Sequence, residues 1–257
     1  PLGVLGAAIA TLIAQAVSTV LVTVTLMYRT EGMKLCLSQI RMYKRMLQSI
    51  LKIGLPAGFE AIMYSISNII VQVSINNFGV DTMAAWTAYS KIDFIFWMIN
   101  SAFGISVMTF VGQNYGAGKW DRIRRGTKIC LGMALISAVF VSIILMSAER
   151  FLFGIFVNDA GVVEIGIHMM NVIAPAYLLF AFIEVFSGAL RAQGAVVVST
   201  LITMVGICVL RMIWVTLVAA HGTLEQVIIC YPITWAAGAL AMSIYYIYKQ
   251  RKIFQAR

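Results

Sequence analysis

"FVGQNYGAGKWDRIRRG", residues 110–126, places four glycines and four cations between two long apolar stretches. One reading is a phosphate-binding loop. That motif needs four residues between its glycines, then Lys and Ser or Thr, after a strand. Here five residues separate Gly112 and Gly118, Trp120 follows Lys119, and no strand pattern precedes. Nucleotide binding is rejected. The remaining reading is a tight turn between two membrane helices, with glycines for the reversal and cations to hold it on one side.

Outward from this turn the chain is dominated by apolar residues. It is 61% hydrophobic and 11% charged, with mean hydropathy +0.92, against about 25% charged in a soluble domain. Seven segments approach the roughly 20 residues needed to cross a bilayer: 3–28, 53–78, 84–111, 128–148, 164–190, 196–219 and 226–248. Close-spaced small residues, as in "GAAIATLIAQA" and "TWAAGALAMS", allow membrane helices to approach closely. The fold class is therefore all-α, a polytopic membrane protein of about seven transmembrane helices. Core helices of a soluble protein would leave seven apolar segments with nothing to cover them.

The net charge of +9 is a topology signal. Of the 19 Lys and Arg residues, 16 fall in the loops after spans one, three and five and in the tail. Asp81, Glu149, Arg150, Asp159, Glu164 and Glu225 occupy the opposite connections. The positive-inside rule puts the basic side, and the carboxyl terminus with it, in the cytoplasm. A multi-pass protein of the cytoplasmic membrane follows, in contact with the lipid bilayer and with no nucleic-acid partner.

The basic stretch 29–52 contains "LCLSQIRMYKRMLQSIL", which suits an amphipathic helix on the inner surface or a connector. One span precedes it and six follow, so the chain is expected to be a piece of a larger protein. The expected domains are 1–28, a helix of an opening half, 29–52, a cytoplasmic connector, and 53–257, a six-helix bundle. Cys36, Cys130, Cys208 and Cys230 are far apart and show no metal spacing. On the reducing side of the membrane Cys36 and Cys130 stay thiols. His168 and His221 make no metal pattern and read as polar residues near the outer interface. No metal site and no enzyme constellation of nucleophile and base is expected.

Four segments carry a family resemblance. "FVGQNYGAGKWDRIRRG" (110–126) resembles the loop that marks multidrug and toxin extrusion (MATE) transporters. "KIGLPAGFEAIMYSISN" (52–68) resembles the first helix of that family's second half, "FSGALRAQGAVVVSTLIT" (186–203) a later cytoplasmic turn, and "GVLGAAIATLIAQAVS" (3–18) the last helix of the first half. The resemblance implies two six-helix bundles around an inverted-V cleft. This chain would be the last helix of bundle one plus all of bundle two, with the missing N-terminal half as its partner. It also implies export of small organic cations and drugs in exchange for protons or sodium, with H+ or Na+ as coupling ion and no other cofactor. Half of a lipid-linked saccharide flippase and a non-transporting assembly subunit are the alternatives.

Ionisable residues inside a membrane are functional candidates by default. Glu60, Lys91, Asp93, Glu184, Arg191 and Arg211 lie in or near spans. At ~1.5 Å per residue, Glu60 and Glu184 both fall ~10 Å from the basic side, on antiparallel helices. The pair could carry a proton, or hold sodium with oxygen ligands. Glu60, Glu184 and Asp93 are the cation-coupling candidates. In the family pattern, second-half acids fall eight residues after the proline and eleven before the loop arginine. Those positions here are Tyr64 and Phe180, so Glu60 and Glu184 each lie one turn nearer the cytoplasm. Lys91 and Asp93, two apart, point to opposite sides of a helix. Asp93 is expected to pair with Arg211, so Lys91, Asp93 and Arg211 are the ion-pair candidates. Met63, Tyr64, Tyr89, Phe94, Trp97 and Met98 are expected to line a pliable pocket for flat cations.

Overall fold

The computed structural model describes residues 3–28, 35–36, 41–218 and 222–255. His221 and most of the loop 29–40 lie outside them. Among the described residues the secondary structure is helical, and seven helical stretches are long and apolar enough to cross a membrane. The chain divides into two units, residues 1–51 and 52–257.

In the first unit, α1 (Gly3–Tyr28) keeps its large apolar side chains exposed along its length. Thr19 and Thr23 donate their hydroxyls to carbonyls four residues earlier, at 2.8 and 2.7 Å. Polar groups satisfied within the helix suit a lipid surface, where water cannot serve as partner.

Residues 44–52 of the expected connector are helical and continuous with the span that follows, as the opening turns of α2 (Lys44–Asn76). A helix continues past the hydrocarbon into the headgroup layer without losing backbone bonds, so its start is not marked by hydrophobicity. Pro56 lies within α2, one turn before Glu60.

The second unit contains α3 (Val80–Gly116), α4 (Trp120–Ser147), the short α5 (Glu149–Gly154) and α6 (Ala160–Ile173). One turn of 3-10 helix, Ala174–Ala176, carries Pro175 and leads into α7 (Tyr177–Ala192). α8 (Val196–Thr203), a π-helical turn (Met204–Val209) and α9 (Leu210–Leu217) form one further span. α10 (Leu224–Ile228) and α11 (Cys230–Gln255) complete the unit.

α7 lies at the centre, packed on α3, α4 and α11. Its crossing with α3 is built on Gly104 and Gly188. A methyl group at Gly188 would lie 2.7 Å from the Gly104 carbonyl oxygen. In contrast, Ile129, Met133, Ile136, Phe140 and Ile143 of α4 are exposed, as lipid-facing residues are.

The glycine turn expected after span three is present. Gly118 adopts φ +66°, and the Lys119 amide donates to the Asn114 carbonyl at 2.9 Å. The turn after α7 repeats this closure, with Gly194 at φ +78° and the Ala195 amide on Leu190 at 2.9 Å. A left-handed residue at that position lets two orphan carbonyls be satisfied, and glycine adopts it without strain.

Candidate functional site

Two cavities in the second unit collect most of the candidate residues. The first, of about 280 Å³, is lined by Glu60 and Tyr64 of α2, Trp97, Asn100 and Ser101 of α3, Phe180, Ile183, Glu184, Ser187 and Arg191 of α7, and Thr203 of α8. The two glutamates therefore arrive from α2 and α7 at one chamber.

Their surroundings differ. Glu60 is buried, and Arg191 Nη2 bridges both its oxygens at 2.6 and 2.8 Å. The Thr200 hydroxyl donates to the same carboxylate at 3.0 Å. Glu184 has no ion pair among the described residues, where the pairs are Arg150–Glu164 and Arg191–Glu60. Its carboxyl occupies the space a side chain at Gly104 would fill. The chamber thus holds two carboxyls and one guanidinium. Two buried donors, Asn100 Nδ2 and Arg191 Nε, have no hydrogen-bond partner among the described residues.

The second cavity, about 310 Å³, is lined by Asn68, Gln72, Trp86, Tyr89, Ser90, Asp93, Phe94, Trp97, Tyr231 and Trp235. Asp93 accepts from Trp97 Nε1 at 2.6 Å and, through its other oxygen, from the Tyr177 hydroxyl. Tyr177 stacks on Phe96 with ring centroids 3.8 Å apart. Trp97 is the wall common to both cavities, and it meets Phe180 and Trp235 edge-on at 4.6 and 6.0 Å.

Among the described residues Asp93 and Arg211, the expected partners, make no ion pair. Arg211 is buried, donates to Asn68 at 3.2 Å and lies 4.2 Å from the Tyr231 ring centroid. The π-helical turn immediately before α9 sets the direction in which Arg211 leaves the backbone, since an extra residue per turn rotates all that follows. Close approach of Gly206 to Gly238 accommodates that wider turn. Lys91 is exposed, on the far side of α3 from Asp93, as the two-residue spacing dictates. Aromatic donors and a ring face do the work that ion pairs were expected to do.

Of the pocket candidates, Tyr64 lines the first cavity, Tyr89 and Phe94 the second, and Trp97 both. Met63 and Met98 line neither, and Met98 is exposed. Sequence reasoning missed Tyr177 as the partner of Asp93 and Arg191 as the partner of Glu60. The charge balance among the ionisable span residues was the available signal for Arg191. For Tyr177 there was none.

A family model described as MatE matches residues 56–217, more than half of the chain. The chain belongs to the MATE family. It is 26% identical over 261 residues to the probable multidrug resistance protein YoeA of Bacillus subtilis, covering 98% of this chain and 56% of that protein. It is 23% identical over 232 residues to the multidrug export protein MepA of Staphylococcus saprophyticus, covering 85% of this chain and 51% of that protein. A solved structure titled as the outward-facing conformation of a multidrug resistance MATE family transporter matches with TM-score 0.89 at 18% identity, over 98% of this chain and 57% of that one. The chain spans about half the length of these relatives. This MATE chain is thus a multi-pass membrane protein of a multidrug exporter family, and its second unit carries a half-compensated pair of acids.

Proposed function

We propose that this chain forms the second half of a MATE antiporter that expels amphipathic organic cations in exchange for protons or sodium. The carrying observation is a cavity that holds two acids, Glu60 and Glu184, and one cation, Arg191, which is bonded to Glu60. Glu60 is already neutralised by Arg191, so Glu184 is the group whose charge is left for the transported ion. When Glu184 carries a proton or a sodium ion, the chamber is balanced. When it releases that ion, Arg191 is drawn between two carboxylates and its hold on Glu60 loosens. An ion-dependent rearrangement of α2 against α7 follows, because those helices carry the two acids. Sodium is a reading with its own support: Asn100, Ser101, Ser187 and Thr203 line the chamber with further oxygens, the donor type hard cations take.

The second cavity receives the drug. Its aromatic walls accept flat apolar rings, and Asp93 supplies a negative charge beside them, so a cation gains both stacking and attraction. Trp97, bonded to Asp93 and lining both chambers, is the physical link between drug and ion. The basic loops and the carboxyl terminus lie on the cytoplasmic side of the cell membrane by the positive-inside rule.

The test is efflux of a fluorescent cation from proteoliposomes holding the complete transporter, with a proton gradient or a sodium gradient imposed separately. One of the two gradients accelerates efflux. Equal efflux with and without either gradient contradicts the antiport reading. Proteoliposomes of this chain alone give no efflux; robust efflux from them contradicts the half-transporter reading.

A further inference from the structure

A third cavity, about 300 Å³, lies between α4 and α11 and is lined by Arg124, Lys128, Tyr246, Ile247, Gln250 and Arg251. It shares no residue with the two chambers above. Three of its six lining residues are cations and none is an acid. Asp121, one turn before Arg124, lines an adjoining cavity together with Arg122, Arg124, Arg125 and Lys128. Arg124 and Lys128 project from one face of α4, four residues apart, and Arg251 faces them from the end of α11. Tyr246 is buried at the cavity wall, and the neighbouring Thr127 hydroxyl donates to the Ile123 carbonyl at 2.9 Å.

The surface that continues from this cavity is apolar. Ile247 lines it and is half exposed, and Ile244 and Leu240 extend an exposed stripe along the same face of α11. On α4, Met133 and Ile136 are exposed beyond Lys128. A polar ligand with an apolar tail fits that sequence of surfaces, and a soluble anion would use only its first part. Arginines recognise phosphate through paired N–H donors, which a point charge does less selectively. Basic pockets between membrane helices on the cytoplasmic side are suited to anionic headgroups.

We propose that this cavity binds the phosphate headgroup of an anionic phospholipid, with the acyl chains laid along Ile247, Ile244 and Leu240. The lipid joins α4 to α11 at the basic side of the membrane. It thereby fixes the inner end of the second unit.

The test is native mass spectrometry of the full chain with short-chain phosphatidylglycerol, using short-chain phosphatidylcholine as comparison and inorganic phosphate as competitor. Phosphatidylglycerol is retained about ten-fold more strongly than phosphatidylcholine, and R124Q/K128Q/R251Q removes most of that preference. K119Q/R122Q/R125Q, which loses the same charge outside the cavity, keeps it. Equal retention of both lipids, equal losses in both triple variants, or displacement of the lipid by inorganic phosphate at matched concentration would each overturn the proposal. If the first triple variant does not fold, K128Q and R251Q decide singly: each weakens retention several-fold, and unchanged retention in both overturns it.

Discussion

One nitrogen of Arg191 bridges both carboxylate oxygens of Glu60, across 131 residues of sequence. The contact ties the carboxyl end of α7 to the middle of α2. It also decides which of two acids in the chamber is left without a cation.

Arg191→Gln removes that bridge and leaves Glu60 buried with only Thr200 as donor. Breaking a fully buried pair costs roughly 3–5 kcal/mol. The Arg191 side chain is 31% exposed, so solvent screening reduces the expected loss to about 1–3 kcal/mol. Thermal unfolding in detergent measures it. Unchanged stability would show that the bridge contributes nothing to the fold.

Glu60→Gln and Glu184→Gln are expected to separate. Glu60→Gln strands the Arg191 guanidinium and lowers the yield of folded protein. Glu184→Gln loses no ion pair and folds as wild type. Monodisperse yield after detergent extraction reads the difference, and equal yields contradict the asymmetric chamber.

Two glycine substitutions separate packing from function. A methyl at Gly188 meets the Gly104 carbonyl at 2.7 Å and Val107 Cγ1 at 2.8 Å. Backbone cannot swing aside, so Gly188→Ala costs about 1–3 kcal/mol and lowers folded yield. A methyl at Gly104 meets the Glu184 carboxyl, which can rotate away. Gly104→Ala is therefore expected to fold and to lose coupled efflux. The reverse ranking of yields would contradict the crossing geometry.

Lys91→Met is expected to leave yield and efflux unchanged, because Lys91 is exposed and apart from Asp93. Trp97→Phe removes a hydrogen bond to a carboxylate and costs about 1.5–3 kcal/mol. Drug binding by fluorescence quenching reads its second effect, a loss of affinity. Wild-type affinity in Trp97→Phe would remove that residue from the drug cavity.

The spans were legible because a bilayer demands long apolar runs, and such runs are visible one residue at a time. The turn at Gly118 was legible for a similar local reason, whereas the one at Gly194 was read only through the family resemblance of 186–203. The start of α2 at Lys44 was not, since a helix emerging from lipid keeps its backbone bonds while its side chains become polar. The site was legible as a set of residue types and not as pairs. Glu60 and Glu184 stood out as acids in apolar spans. Arg191 read as a loop cation because its position marks a turn, and only the folded helix shows its side chain reaching back to α2. Asp93 and Arg211 were matched by charge, but Asp93 takes Tyr177, 84 residues away. Tyr177 follows a proline break in an otherwise apolar segment. The π-helical turn that redirects Arg211 leaves no periodicity to read.

In the proposed antiport Glu184 carries the coupling ion. The most direct measurement is drug efflux per folded transporter for wild type and Glu184→Gln, each with and without the driving gradient. Gln keeps the shape of the side chain and cannot change charge. Wild type is expected to accelerate with the gradient, and Glu184→Gln to run at one slow rate in both conditions. A Glu184→Gln protein whose efflux still rises with the gradient to the wild-type extent would contradict it.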